Sequence, residues 1–405
     1  MVRFFSPSPA ALALPHFVLA WALLGQLAYG HGIAPEGPSD EARKIVFPDT
    51  EQYLTLVLDP HTHSVFSDGH VWPKIRVGEA TRDGLDAMAI TEHLEYQPHI
   101  EDMPHLDKNR SFEEAASAAR YTDVMIIPGA EITRKAPASH MNALFIEDAN
   151  KLFSVPDMEK RYTSNEFRDT AREWPAQEAV DAANAQGAFV FWNHSWWTTD
   201  FPDGIPVLSD FHEGNVKSGK LHGIEIANGK NYSEDAFQIA LDHNLTLIGT
   251  SDVHDLIDWD YEPHAGGHRP VTLVFAKERS QDSLKEALFD RRTVVWFKNW
   301  LMGRERYLQP LLDACLSFSD AAYQDKEIMG VTIRNDSDVD FHLRSLSPYG
   351  LHRHASTFTV KQHSSERILV RTGKGAESLE MEFEVLNAYT APDVTTRIKL
   401  SAEVE

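Results

Sequence analysis

The sequence predicts an α/β domain of barrel size followed by a small antiparallel, sandwich-like β domain. Three observations predict it. From about residue 54 to about residue 298, short apolar runs alternate with helix-like segments. The runs are continuously apolar, the pattern of parallel strands covered on both faces. After about residue 300 the apolar period drops to two, as in strands with one wet face.

The apolar runs fall at 54–58, 87–90, 124–127, 142–146, 188–192, 223–227, 245–249 and 271–275. Helical signals lie between them. Ser111 with Glu114 reads as a capping box ahead of 115–120. Pro175 opens a helix over 176–186 and Gly187 closes it, with further helices over 233–244 and 283–291. Seven or eight such units in about 250 residues make a barrel. The later strands are expected at 331–335, 338–343, 356–360, 367–371, 379–385 and 396–402. That module carries no chemical motif and reads as a covering domain. Cys315 lies in an apolar helix-like stretch and reads as inert core.

Residues 1–30 stand apart. They hold one basic residue, Arg3, then an apolar run over 10–24, then Ala28 and Gly30 ahead of His31. This is the order of a secretory signal, and the run is short for a membrane span. The expected organisation is a signal segment over 1–30, a flexible leader over 31–50, the barrel over 51–300 and the β domain over 301–405. The expected location is exported, periplasmic or secreted, with no membrane span after cleavage.

Composition bounds the chemistry. The 405 residues include 38 Lys+Arg against 61 Asp+Glu, a formal charge of −23. No cationic excess exists to release counterions from a nucleic-acid backbone, so a polymeric nucleic-acid partner is not expected. The single Cys excludes an internal disulfide and thiolate metal sites. Metal chemistry must use carboxylates and some of the 20 His.

The strand ends are where such residues gather. The run 54–58 leads into Asp59-Pro60-His61-Thr62-His63, and residues two apart on a strand share a face, so His61 and His63 can bind one ion. Ser67-Asp68-Gly69 then puts a carboxylate in a turn. Thr91-Glu92-His93, Gly129-Ala130-Glu131, His140-Met141-Asn142, Trp192-Asn193-His194 and Ser251-Asp252-Val253-His254 follow at later strand ends. A lone His at a strand end is usually hydrogen-bonded structure. Six His and three carboxylates at successive ends, which converge on one rim in a barrel, imply a multinuclear metal site. An all-N/O set suits Zn, Mn or Fe rather than Cu(I).

The series D-P-H-T-H-S, S-D-G, T-E-H, G-A-E, H-M-N, N-H-S and T-S-D-V-H resembles the PHP (polymerase and histidinol phosphatase) superfamily of metal-dependent phosphoesterases, in the family's order, over about residues 54–275. The resemblance implies a distorted seven-stranded β/α barrel. It implies one metal on His61, His63, Glu131 and Asp252, a second sharing Glu131 and taking His140 and His194, and a third on Asp68, His93 and His254. Pro60 and Glu92 depart mildly from the family pattern without removing a ligand. Together the signal segment, barrel and β domain resemble exported bacterial phosphodiesterases of the PHP type. The implied substrate is a small phosphoester, a diester before a monoester, attacked by hydroxide held between two or three divalent ions.

The catalytic set is then Glu131, His194, Asp252 and His254 among the ligands, with His264 or His268 as proton donor to the leaving group. Arg269 lies in the same loop before 271–275 and is a candidate phosphate contact. Lys108 and Arg110, between His93 and Glu131, are further candidates, and Trp196 and Trp197 follow His194 as a candidate pocket wall.

Overall fold

A computed structural model describes residues 44–154, 157 and 159–404. The signal-like segment 1–30 and residues 31–43 of the leader lie outside the described residues.

The first strands pair in parallel: β1 (Leu54–Asp59), β2 (Ala87–Ile90) and β3 (Met125–Thr133). Helix α1 (Pro73–Asp83) links the first two, and α2 (Arg110–Ala119) links the second and third. Then β4 (His140–Leu144) runs antiparallel to β3, with Thr133 opposite His140. Helices α3 (Ser164–Ala171) and α4 (Ala176–Ala185) lead to β5 (Phe189–Trp192), antiparallel to β4. Next come α5 (Asp210–Lys217), β6 (Gly223–Asn228), the short β7 (Asn231–Tyr232), α6 (Glu234–Asp242) and β8 (Thr246–Thr250), with β5, β6 and β8 parallel. The short α7 (Ile257–Tyr261) precedes β9 (Val271–Ala276), which pairs antiparallel with β1.

Among the described residues no ladder joins β8 to β9 or β10 (Thr293–Phe297); side chains close the gap. Thr272 Oγ1 accepts from Gly249 N and donates to Gly249 O, both at 2.9 Å, and Thr293 Oγ1 donates to Leu247 O at 2.9 Å. The approach is so close that a Cβ on Gly249 would stand 2.4 Å from Val295 Cγ1. Only glycine fits there.

All eight expected runs are strands, but the expectation of uniformly parallel units is corrected at β4 and β9. Residues 134–139 are too few for a crossover, so the chain must turn straight back. Apolar periodicity does not report strand direction. The reversal has a use: the start of an antiparallel strand shares a rim with the ends of its parallel neighbours, which brings His140 level with Glu131.

Two helix expectations change. Ser111 and Glu114 both lie inside α2, which starts behind Asn109, and Glu114 pairs with Arg110 instead of capping. A capping box is found at α3, where Thr163 and Glu166 satisfy one another's backbone N–H. The leader is also partly structured. Ile45 and Phe47 are buried, Ile45 N donates to Asp83 O at 2.8 Å, and Val46 N donates to Asp338 Oδ2 at 2.6 Å. Burial of two large apolar side chains explains why 44–50 packs rather than hanging free.

After α8 (Gln281–Phe289) and β10 the chain forms β11 (Trp300–Gly303), antiparallel to β10, so this hairpin crosses residue 300. Helix α9 (Glu305–Cys315) holds Cys315 buried, with its thiol pushed up to about 12 by burial. The antiparallel domain follows. Its small sheet holds β12 (Leu316–Tyr323), β13 (Ile328–Asn335), β15 (Gly350–Leu351) and β17 (Ser364–Arg371). Its larger sheet holds β14 (Phe341–Ser345), β16 (Thr357–Val360), β18 (Ser378–Ala391) and β19 (Val394–Glu403). Val331, Ile333, Phe341, Ile368, Phe383 and Ile398 are all buried in one apolar cluster that also takes in Val57, Leu273 and Trp296 of the barrel. β12 was not expected, because it leaves α9 with no turn residue between. β18 pairs in parallel with β11, Leu301 opposite Ala388, so the barrel sheet continues into the β domain.

Candidate metal centre

The nine residues expected at the rim come together there. His61 and His63 follow β1, and their Nε2 atoms lie 2.9 Å apart. Both face Asp252 Oδ1 at 3.2 Å, and they face Glu131 Oε2 at 3.7 and 3.5 Å. Four donors about 2.1 Å from a central ion would stand about 3.4 Å apart. The four atoms therefore already outline a coordination shell. On the other side of Glu131, Oε1 lies 2.9 Å from His140 Nδ1 and 3.6 Å from His194 Nε2. Asp68 Oδ1 lies 3.3 Å from His93 Nε2 and 3.1 Å from His254 Nε2. Glu131 is fully buried between the first two groups.

Three carboxylate oxygens test whether cations fit. Asp68 Oδ1, Glu131 Oε2 and Asp252 Oδ1 are buried and make no hydrogen bond. Such atoms are costly unless a cation meets them. All three face imidazole nitrogens, so the donor set suits divalent metal ions.

The surrounding side chains fix which ring nitrogen is free. His61 Nδ1 pairs with Glu225 Oε1 at 2.8 Å, and His93 Nδ1 with Thr133 Oγ1 at 2.6 Å. His254 Nδ1 donates to Asp252 O at 2.8 Å. His63 Nδ1 meets Ser67 Oγ at 3.1 Å, and Ser67 Oγ in turn donates to Glu92. With Nδ1 carrying the proton, Nε2 of each ring is a bare lone pair aimed inward. Glu92 also accepts from the Ser64 hydroxyl and from Ser64 N, so it clamps the turn between His63 and Asp68. A Cβ on Gly69 would come within 2.7 Å of Ser64 N, so the turn needs glycine.

Sequence reading missed Glu225. It sits in β6, fully buried, and accepts from His194 N at 2.6 Å, Asn228 Nδ2 at 2.9 Å and Thr250 Oγ1 at 2.8 Å besides His61. The available signal was a carboxylate inside an otherwise apolar strand. Asn193 was also missed; its Nδ2 donates to Glu131 Oε1 at 2.9 Å. His194 and Asp252 carry positive φ, 22° and 49°. Left-handed backbone at non-glycine residues costs about 1–3 kcal/mol and marks functional sites. We expect Glu225→Gln to weaken metal binding about 10- to 100-fold while the far-UV spectrum stays unchanged. Chelator competition measures this; unchanged affinity would count against Glu225 as an orienting group.

Without ions, the cluster shares protons. Burial opposes the charge on His254, but its hydrogen bond to Asp68 and the charge of Asp252 outweigh burial and lift it to about 9. His93 is raised in the same way by Glu131 and Asp68 against its burial. His63 goes down to about 3, through burial and then the charges of His254 and His93. Ligating nitrogens must be neutral, so metals displace these protons and affinity rises with pH until about 9. Calorimetric titration of metal into apoprotein at pH 7 should therefore show a heat that changes with the ionisation enthalpy of the buffer. A buffer-independent heat would contradict this.

The centre opens into a cavity of about 760 Å³. Trp196 and Trp197 line it, and Trp197 stands 5.1 Å from the His140 ring and 5.6 Å from the His194 ring. The other expected substrate contacts lie elsewhere. Arg269 is fully buried, donating to Asp59 Oδ2 at 3.1 Å and to Asp83 Oδ2 at 2.7 Å. Its guanidinium is spent on holding β1 and α1, not on phosphate. Lys108 is buried with Nζ on His93 O at 3.0 Å and lies over the Phe153 and Phe167 rings; burial pushes it down to about 8. Arg110 pairs with Glu113 and Glu114 on α2. His268 stacks on Trp296 at 3.4 Å and lines a different cavity. His264 is exposed on the turn Pro263–Ala265, away from the lining. The basic residues that do line the metal cavity, Arg134, Lys135, Arg168 and Arg172, were not expected. Arg168 on α3 and Arg172 at its C-cap resemble an ordinary solvated helix face.

Fold and site define a mixed α/β barrel with a polynuclear His/Asp/Glu centre and a β companion domain. Comparison with known proteins agrees. Residues 316–401 match an Ig-like domain family. A crystal structure from Bacteroides vulgatus, of a two-domain protein containing a predicted PHP-like metal-dependent phosphoesterase, is 38% identical. The match covers 89% of this chain and 99% of that one, with a TM-score of 0.78. The chain belongs to this family of two-domain PHP-like metal-dependent phosphoesterases. A putative metal-dependent phosphoesterase from Bifidobacterium adolescentis is 20% identical, covering 49% of this chain and 87% of that one at a TM-score of 0.37. An amidohydrolase from Chromobacterium violaceum is 17% identical with the same coverage and a TM-score of 0.33. No curated protein matches the chain. No helix among the described residues is long and apolar enough to cross a membrane.

Proposed function

We propose that this protein is an exported phosphodiesterase that hydrolyses small organic phosphodiesters at a centre of two or three divalent ions. The observation that carries the phosphoester chemistry is the trio of buried carboxylate oxygens without a hydrogen bond, each within 3.7 Å of two imidazole Nε2 atoms. His61, His63, Glu131 and Asp252 would hold one ion, Glu131, His140 and His194 a second, and Asp68, His93 and His254 a third. Such ions acidify water and neutralise charge on phosphoryl oxygens.

The chain's own groups supply the rest. Glu225 and the Ser67–Glu92 pair keep His61 and His63 in one tautomer. Three ligating carboxylates against three divalent ions leave the centre net positive, so it attracts an anion in spite of the acidic exterior. The cavity is far larger than a phosphate group, and Trp196 and Trp197 offer an organic ester substituent an apolar wall. This supports a diester. Export rests on the signal-like order of residues 1–30.

A phosphomonoesterase is the second reading, favoured by the basic side chains on the cavity wall, which suit a dianion. Rates on bis(p-nitrophenyl) phosphate and p-nitrophenyl phosphate separate the two. We expect faster turnover of the diester; a clear preference for the monoester would overturn the diesterase assignment, and no turnover of either would overturn both.

A further inference from the structure

Arg168 and Arg172 are four residues apart at the end of α3, where like charges repel. Lys135 stands at the cavity rim, exposed, and all three line the metal cavity. Arg134 lines it too, but its guanidinium is paired with the buried Glu95 and bonded to Trp174 O at 2.6 Å. Arg172 has no such partner. Among the described residues no carboxylate lies within ion-pair distance of it, and its Nε is buried without a hydrogen bond. Burial and the nearby charges of Arg168 and Arg134 disfavour its charged form and outweigh the opposing charges of Glu95 and Asp169. Among the described residues Arg168 has one ion-pair partner, Asp169 at 3.4 Å, which stands largely in solvent. A helix end favours a cation, which accounts for Arg172 alone. It does not account for a buried guanidinium nitrogen left unpaired beside a second arginine.

The carboxylates that line the cavity do not neutralise this group. Among the described residues Asp68 and Asp252 face only histidines within ion-pair distance, and Asp200, which also lines the cavity, accepts from Ala136 N at 3.4 Å but forms no ion pair with Lys135, Arg168 or Arg172. The reacting phosphoryl group would be held on that side, among the histidines. The arginines meet a different part of the ligand.

We propose that Arg168 and Arg172, with Lys135 at the rim, form a second anion subsite, so that the substrate is a phosphoester whose organic part carries a further anionic group. The proposal rests on the phosphoester reading above and names its substrate class. The further group is a carboxylate or a second phosphate. A guanidinium fork meets either one with two parallel N–H donors, and Arg172 is poised to do so.

Matched aryl esters test it. The metal-loaded protein is given 4-carboxyphenyl phenyl phosphate and its methyl ester, which has the better leaving group, so a preference for the acid cannot come from the leaving group. A 4-phosphonooxyphenyl analogue tells a phosphate from a carboxylate. We expect kcat/KM to favour one of the anionic esters about 10- to 100-fold over the methyl ester, mostly through KM. In the R168Q/R172Q variant that ratio should collapse to near one. Equal ratios in wild type and variant would overturn the subsite. A parallel calorimetric arm needs no turnover: 4-carboxyphenylphosphonate and 4-phosphonooxyphenylphosphonate are compared with phenylphosphonate. Tighter binding of either probe that carries the second anionic group in wild type, lost in the variant, supports the subsite even if no ester is hydrolysed, in which case only the phosphoesterase reading fails. Equal affinity for all three probes overturns the subsite.

Discussion

Glu131→Gln should lower kcat on bis(p-nitrophenyl) phosphate by a factor on the order of 10³ or more, with loss of more than one metal ion per chain. The magnitude follows because metal ions contribute several kcal/mol of charge stabilisation in such reactions, and each 1.4 kcal/mol is about tenfold. The breadth of the loss follows from geometry. Oε2 faces His61, His63 and His93, while Oε1 faces His140 and His194. Burial opposes the charge on Glu131, but His93 and His140 outweigh it and hold the carboxyl well below its usual range. An amide can bridge neither group with two anionic oxygens. The variant keeps the side chain's shape, so the far-UV spectrum should not change. Retention of full activity would mean that Glu131 is a hydrogen-bond acceptor and no more.

The second large effect is on stability. Arg269→Met should destabilise the fold by about 3–5 kcal/mol, because it leaves Asp59 as a buried carboxylate without a cation and Asp83 with the partly exposed Arg82 alone. Denaturant unfolding of the metal-free protein measures it. A functional effect comes second. Asp59 accepts from Ser251 N at 3.1 Å and Ser251 Oγ at 2.6 Å, one residue before Asp252, so metal binding should loosen as well. Were Arg269 a phosphate contact, the substitution would instead raise KM at unchanged stability.

Arg269 also shows where sequence stops being informative. An Arg beside two His in a glycine-containing loop reads the same whether it faces phosphate or the core. Only the fold shows that Asp59 and Asp83, far apart in sequence, close around it. The centre itself was far more legible. Its residues stand at strand ends in short runs, and the period of two places His61 beside His63 and Asp252 beside His254. The strand–helix repeat then implies one rim. The direction of β4 was hidden, because apolar runs carry no arrow, yet the position of His140 was still found from its motif. Glu225 was hidden in an apolar strand, and the arginines of α3 looked like a solvated face. Glu225 acts through neighbours contributed by other segments, and the cavity beside the arginines is lined by several segments, which no local pattern records. The β domain was legible as alternating strands except for β12, which has no turn signal before it, and the two-residue β15.

Metal analysis of the protein as isolated tests the central claim most directly. Two or three Zn, Mn or Fe ions per chain are expected, falling together with phosphodiester turnover on chelation and returning with it on reloading. A protein that holds no transition metal after equilibration, yet hydrolyses phosphodiesters at an unchanged rate, would contradict the account.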